Sequence, residues 1–287
     1  MGSSLALALR KNGYAGPLTG YDANAVAGQE ALTRQVISDV AASPAEAAER
    51  ASLVVLAAPV LANAAMGEAL SGRLSADTVV TDMGSTKSVI CARLSAAGVT
   101  FVGSHPVAGS EKRGGGAARA DLFEGRRVVV TPPAGVPEDA VALVEALWKT
   151  VGARPVRMTP EAHDRMLART SHLPHLVAAA LATAMGRDHA REVGPFCGTG
   201  FYDSTRVASG SVEMWKDILA TNRPAIEGEL RAFKSELDAL YTDIQSGDEF
   251  AWVRFLERAQ ASRAALLEGQ RLAGDAASTR FDNPNIS

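Results

Sequence analysis

Four short apolar runs, spaced by stretches of helical character, restrict this chain to a small set of folds. They are Leu53–Pro59, Thr78–Asp82, Val99–Gly103 and Arg127–Thr131. Strands buried on both faces of a parallel sheet read as continuous runs of this kind, because each side of the strand meets apolar neighbours. Helices fit between them, so the pattern predicts βαβ units and an α/β, doubly wound sheet. Upstream, Ser4 to Asn12 reads as an Ala/Leu-rich helix ending at Gly13, and Pro17 to Asp22 as a short strand and turn. Ser43 to Arg50 reads as a helix opened by Ser43-Pro44, with Glu46 three residues after the serine. Beyond Pro160 the strand signal stops. Helical spacing runs through Leu173–Met185, Ser211–Ala220, Ile226–Leu240 and Phe250–Leu272, and the polar tail Ala273–Ser287 is expected to be loosely held. The chain thus divides into an α/β part, residues 1–158, and an all-helical part, residues 159–287.

At 287 residues there is room for two cores of ordinary size. Twenty-nine basic against 32 acidic side chains leave a net charge of −3, and no basic block or stripe stands out, so nucleic acid is not an expected partner. No apolar run reaches the ~18 residues of a membrane span, and no signal peptide is visible. Cys91 and Cys197 lie far apart without metal-ligand spacing, and read as two reduced, buried thiols of a cytoplasmic protein.

Chemistry concentrates in Gly103 to Lys112. This stretch sets the imidazole of His105, the hydroxyl of Ser110, the carboxylate of Glu111 and the ammonium of Lys112 on a Gly- and Pro-punctuated turn after an apolar run. Loops at strand ends are where α/β enzymes keep reactive groups. A lone histidine is more often a satisfied core or surface residue; the company kept by His105 reverses that reading. With a reference pKa of about 6.5, its ring suits general base work. His172 and His175 stand three apart on one helical face. They lack an acidic or thiol third ligand nearby, so no metal site is expected.

Dinucleotide-binding folds open with a buried strand, a Gly-x-Gly-x-x-Gly turn and a helix whose N-terminus receives the pyrophosphate. An acidic residue about 20 positions on then holds the ribose hydroxyls. Here Gly2 starts a helix, in the place of the third glycine, and Asp22 follows a strand 20 residues later. Alone, the two are an ordinary helix start and a turn aspartate. The first strand and first two glycines are absent from the pattern. Without a central strand, buried backbone groups go unpaired at about 1–3 kcal/mol each. Met1 is therefore expected to be an internal methionine taken as a start; a truncated, inactive product is the other possibility.

Taken together, these pieces resemble the prephenate/arogenate dehydrogenase family. Gly2-Ser3-Ser4-Leu5-Ala6 is similar to the end of its nucleotide turn, and Asp82 to Lys87 to its Asp-x-Gly-Ser-x-Lys loop. Gly103 to Lys112 is similar to its His-Pro-x-Ala-Gly-Ser/Thr-Glu signature, and Ser171 to His175 to its Ser-His-Leu-Pro-His signature. Gly200 to Arg206 with Met214-Trp215 completes the set, and the likeness runs from residue 2 to about residue 240. It implies a Rossmann-type NAD(P) domain, a helical dimerisation domain and a homodimer. The implied enzyme is an oxidoreductase of tyrosine biosynthesis that acts on a small molecule by oxidative decarboxylation of prephenate. Arogenate, giving tyrosine directly, is the alternative substrate. An inactive helical dimer is the alternative outside catalysis. A related hydroxyacid or imine oxidoreductase is disfavoured by the His105 loop.

The resemblance also implies roles. The ring carbon bearing the substrate hydroxyl gives hydride to nicotinamide while His105 takes the hydroxyl proton, and carbon dioxide leaves as the ring aromatises. Ser85 orients His105 or bonds the hydroxyl, and lies at the cofactor. Arg206 clamps a carboxylate, since a guanidinium pairs bidentately and stays charged. His175 contacts substrate with His172 packed behind it, Ser110 reaches the substrate, Glu111 gates or pairs within the site, and Trp215 either lines the pocket or is structural. Gly2 and Asp22 hold the cofactor. The Asp22 carboxylate accepts from ribose hydroxyls and repels a 2′-phosphate, so NAD is preferred to NADP.

Overall fold

The computed structural model describes residues 1–108 and 115–278, with side chains through Leu272. Its contacts separate two compact units, 1–229 and 230–287. The first begins with α1 (Gly2–Lys11), β1 (Thr19–Gly20), α2 (Ala25–Thr33), β2 (Asp39–Val40) and α3 (Pro44–Ala48). It continues with β3 (Leu53–Leu56), α4 (Val60–Leu70), β4 (Val79–Asp82), α5 (Ser88–Ala96), β5 (Phe101–Pro106), β6 (Arg127–Thr131), α6 (Glu138–Thr150) and β7 (Arg154–Arg157). Helices follow: α7 (Pro160–Leu167), a π-helical turn (Ala168–His172), α8 (Leu173–Met185), α9 (Ala190–Val193), α10 (Thr199–Thr205), a 3₁₀ turn (Arg206–Ser209) and α11 (Val212–Thr221). α12 (Arg223–Ser246) begins in this unit, and the second unit holds its remainder and α13 (Glu249–Ser278). The expected loose tail therefore starts too early: helix continues to Ser278, and 279–287 lie outside the described residues.

The main sheet has the order β3-β4-β5-β6-β7 and is mixed. β3, β4 and β5 are parallel as expected, but β6 runs antiparallel to β5, with His105 opposite Val129. A parallel neighbour needs a crossover, usually a helix. The β5–β6 connection has only the 3₁₀ turn Gly115–Ala117 among its described residues, so the chain returns alongside instead. β7 carries no strand signal because Arg154-Pro155-Val156-Arg157 is an edge, half-buried or exposed throughout. β1 and β2 form a separate parallel pair. β3 consequently ends the five-stranded sheet. Its apolar run, expected to be buried on both sides, leaves Leu53, Val54 and Val55 half-buried.

Successive strand residues point to opposite faces, and both faces are covered. Val79, Val102, Val128 and Val130 pack with Leu5, Ala8 and Leu9 of α1 and Val141, Val144 and Trp148 of α6. Val80 and Phe101 pack with Ala64 of α4 and Ile90 and Leu94 of α5. Each such Val, Leu or Ile side chain contributes about 1.5–3 kcal/mol by leaving water. Cys91 is buried, whereas Cys197, expected to be buried too, is only half so.

Candidate active site

The sheet delivers His105 near the end of β5, and side chains hold that strand end where the backbone ladder with β4 stops. The ladder pairs Val80 with Phe101 and Thr81 with Val102, and goes no further. Beyond it, Ser104 donates its N–H to Asp82 Oδ1 (3.1 Å) and accepts at its carbonyl from Lys87 Nζ (2.9 Å). Lys87 and Asp82 are both fully buried and form an ion pair with each other. The Ser104 hydroxyl bonds the Asp82 carbonyl and the Thr81 hydroxyl, and Trp148 Nε1 donates to it at 3.0 Å. A buried ion pair is tolerated only when its remaining donors and acceptors are satisfied, and here they satisfy a strand.

On its other side His105 meets α7. Its Nδ1 lies 2.8 Å from His163 Nε2, the rings meeting edge to face, and His163 Nδ1 lies 2.8 Å from Asp164 Oδ1. The Asp164 carboxylate also accepts the backbone N–H groups of Lys87 and Ser88, each at 2.8 Å. These open α5, which has no side-chain cap of its own. Burial raises the Asp164 pKa, but the hydrogen bonds from His163 and Ser88 outweigh it, and the net shift is downward. Burial holds the pKa of His105 well below 6.5, helped by His163, Lys87 and His172, and burial likewise lowers that of His163. Both rings are neutral at pH 7.

A second histidine pair lies along the same helical run. Asn222 Nδ2 donates to the Asp164 carbonyl (2.8 Å) and faces His172 Nδ1 (3.2 Å), so that nitrogen accepts. Burial takes the His172 pKa down to about 4. His172 meets Trp215 edge-on at 5.8 Å, while His175 stacks flat on the same indole at 3.5 Å. The π-helical turn just before Pro174 accommodates a residue with no N–H whose ring crowds the preceding turn. Gly210 closes against this stack: a β-carbon there would lie 2.7 Å from Trp215 Nε1 and 2.9 Å from His175 Cε1. His175 is hydrogen-bonded to the Val207 backbone, one residue from Arg206, which is exposed at the start of its 3₁₀ turn. The structure thus brings His105, His172 and, through Trp215, His175 into one continuous cluster. Ser85 is half-buried in the β4–α5 turn, while the partner of His105 Nδ1 is His163. Ser110 and Glu111 lie outside the described residues. Among the described residues no group of three metal-ligating side chains is placed to hold a metal.

The nucleotide end is built differently. Gly2 opens α1, and a β-carbon there would lie 3.2 Å from that of Ala57, just beyond β3, so the helix start and the strand end approach closely. First-turn N–H groups have no intrahelical acceptor and attract anions. Asp22 is exposed beyond β1, with Oδ1 accepting the Asn24 N–H at 2.8 Å. A close-packed helix N-terminus and an exposed carboxylate beyond a strand fit a dinucleotide's pyrophosphate and ribose.

The prephenate dehydrogenase nucleotide-binding domain model matches residues 5–157, and the prephenate dehydrogenase dimerisation domain model matches 159–258. This chain belongs to the prephenate dehydrogenase family. A prephenate dehydrogenase of Bacillus subtilis is 34% identical over 274 residues, covering 93% of this chain and 73% of that protein. A crystal structure of the Aquifex aeolicus prephenate dehydrogenase superposes with a TM-score of 0.86 at 33% identity, covering 92% of this chain and 94% of that one. A Synechocystis arogenate dehydrogenase superposes at 0.78 with 27% identity, covering 92% and 95%. Within this prephenate dehydrogenase relative, sequence reasoning passed over His163, Asp164, Asn222 and Gly210. None sits in a quoted motif, although adjacent His163-Asp164 at the first turn after Pro160 is a pairing a search for titratable neighbours would find.

Proposed function

We propose that this chain oxidatively decarboxylates prephenate with NAD, giving 4-hydroxyphenylpyruvate. The observation that carries the reading is His105: neutral, half-buried and tied at Nδ1, so that Nε2 is the nitrogen left to accept a hydroxyl proton. NAD, when bound, supplies a hydride acceptor. The α1 N-terminus would hold its pyrophosphate and Asp22 its ribose, with the Asp22 charge favouring NAD over NADP. The Aquifex relative was crystallised with NAD+ and hydroxyphenyl propionate, which supports both the cofactor and an aromatic product.

The chain's own residues do the rest. His105 takes the proton from the ring hydroxyl, and Ser85, in the β4–α5 turn, bonds that hydroxyl or the nicotinamide end. Arg206 pairs with a substrate carboxylate, and His175, braced by Trp215, contacts the substrate while His172 packs behind it. Ser110 is assigned to reach the substrate and Glu111 to gate or pair within the site, as the family signature implies. Residues 1–158 are read as the dinucleotide domain and 159–287 as the helical one, a division supported by where the two family matches meet. A homodimer is supported by the dimerisation-domain match and by the exposed Leu237, Tyr241 and Ile244, spaced along one face of α12. No described helix is long and apolar enough to cross a membrane, and free thiols at Cys91 and Cys197 fit the reducing cytoplasm.

Arogenate is the second reading, favoured by the likeness to the Synechocystis enzyme. NADH formation with prephenate and arogenate, assayed side by side, tests both. Prephenate should give the higher kcat/KM; a clear preference for arogenate reverses the order, and no turnover of either removes the proposal. Arg206→Gln should raise KM for prephenate while leaving NAD affinity within about twofold.

A further inference from the structure

We propose that His163 and Asp164 form a positioning pair that fixes which nitrogen of His105 carries the proton, and thereby makes His105 a base. The inference rests on the reading above that His105 accepts the substrate's hydroxyl proton.

The argument starts at the carboxylate. Asp164 accepts two backbone N–H groups, from Lys87 and Ser88, at the N-terminus of α5. Those donors cannot be reversed, and the positive end of the helix adds to them, so Asp164 is held as an anion that only accepts. Facing Asp164 Oδ1, His163 Nδ1 must therefore carry hydrogen. A neutral imidazole has one N–H, which leaves His163 Nε2 as an acceptor. Facing that acceptor at 2.8 Å, His105 Nδ1 must donate, and its single proton is spent there. His105 Nε2 is left with a lone pair. Each assignment follows from the one before, back to two peptide N–H groups 17 or more residues from His105 in sequence.

The same chain serves the charged state. When the hydroxyl O–H breaks and its proton bonds to His105 Nε2, the ring becomes an imidazolium. Its Nδ1–H stays bonded to His163, whose own N–H stays on the Asp164 anion, so the new charge meets a negative group through one polarisable ring. No atom has to move to accommodate it. Lys87 works against this charge, and its ammonium is engaged by Asp82 and the Ser104 carbonyl. The arrangement parallels a catalytic triad's histidine with its carboxylate, extended here by a second imidazole.

The pair is absent from the sequence signatures. It joins the sheet to the first helix beyond the α/β part, 58 residues from His105, so it exists only in the fold.

The test is spectroscopic first. The chain has five histidines, so nitrogen-15 spectra of histidine-labelled protein resolve each ring's tautomer, with His105 assigned by its loss in His105→Asn. The expected result at neutral pH is His105 protonated on Nδ1 and bare on Nε2. His105 protonated on Nε2 overturns the proposal, whatever the enzyme's activity. The second arm is His163→Phe, which keeps ring and volume but offers no acceptor. Its kcat with prephenate should fall about a hundredfold while KM changes less than threefold, and the His105 signal should move toward the Nε2–H form. Unchanged kcat with an unchanged His105 signal overturns the proposal. A native protein that shows the Nδ1–H tautomer yet never oxidises prephenate or arogenate refutes the assigned reaction and leaves the tautomer lock standing.

Discussion

His105 and Asp22 each sit at or beyond the end of a strand, yet different physics holds them. His105, itself half-buried, is held by a lattice whose partners come from β4, the α5 N-terminus and α7, with every buried side-chain donor and acceptor among the described residues satisfied. Asp22 is exposed, and its Oδ1 accepts the N–H of Asn24, two residues on. One end of the site is made by tertiary structure and the other by local turn chemistry. The proposed base needs a defined tautomer and pKa, which hydrogen-bonded ring partners supply. A carboxylate proposed to hold ribose need only stand exposed beyond its strand.

That contrast predicts large effects at the buried end and small ones at the exposed end. His105→Asn should lower kcat by about a thousandfold while prephenate and NAD still bind, measured by steady-state NADH formation and by calorimetry. Lys87→Met leaves Asp82 buried without its counter-charge, so it should cost about 3–5 kcal/mol of stability. Urea unfolding would read this as a lower midpoint at constant slope. Gly210→Ala forces the His175–Trp215 stack to move. It should cost about 1–3 kcal/mol and raise KM for prephenate more than it lowers kcat, seen in initial-rate kinetics.

Acid should act on the same buried end. His105, His163 and His172 have folded pKa values below the unfolded value of about 6.5. Below that pH the unfolded chain binds more protons, so stability falls as pH drops from about 6.5 and levels off near the folded values. For His172, with a folded pKa of about 4, the loss is roughly 3 kcal/mol. The groups around it are Asp164, His163 and His175. Melting temperature against pH checks this; a flat profile between pH 7 and 4 counts against burial in the neutral form. The smallest effect belongs to Asp22→Ser, which should narrow the preference for NAD over NADP by about tenfold without altering stability.

The same division explains how much could be read in advance. The strands β4 and β6 and the helices α8 and α11 announce themselves by local sequence pattern, while the roles proposed for His105, Ser85 and Arg206 rest on short motifs. What escaped depends on distant partners. β6 turned antiparallel because of a connection whose length does not advertise direction, and β7 is an edge strand of two arginines, a proline and one valine. His163 and Asp164 look like a polar first turn of a helix until the fold sets them against His105 and the start of α5. Asp217 is another such case, a helical aspartate that accepts the Leu61 N–H at the start of α4. Two helices of the α/β part thus receive their capping carboxylates from helices beyond it, and no one-dimensional pattern encodes that.

The most direct test is a crystal structure of this chain with NAD and hydroxyphenyl propionate. The account predicts His105 Nε2 within about 3 Å of the phenolic oxygen, its Nδ1 still on His163, and the nicotinamide against the same ring carbon. A His105 ring turned from the ligand, with another side chain against that oxygen, would contradict it.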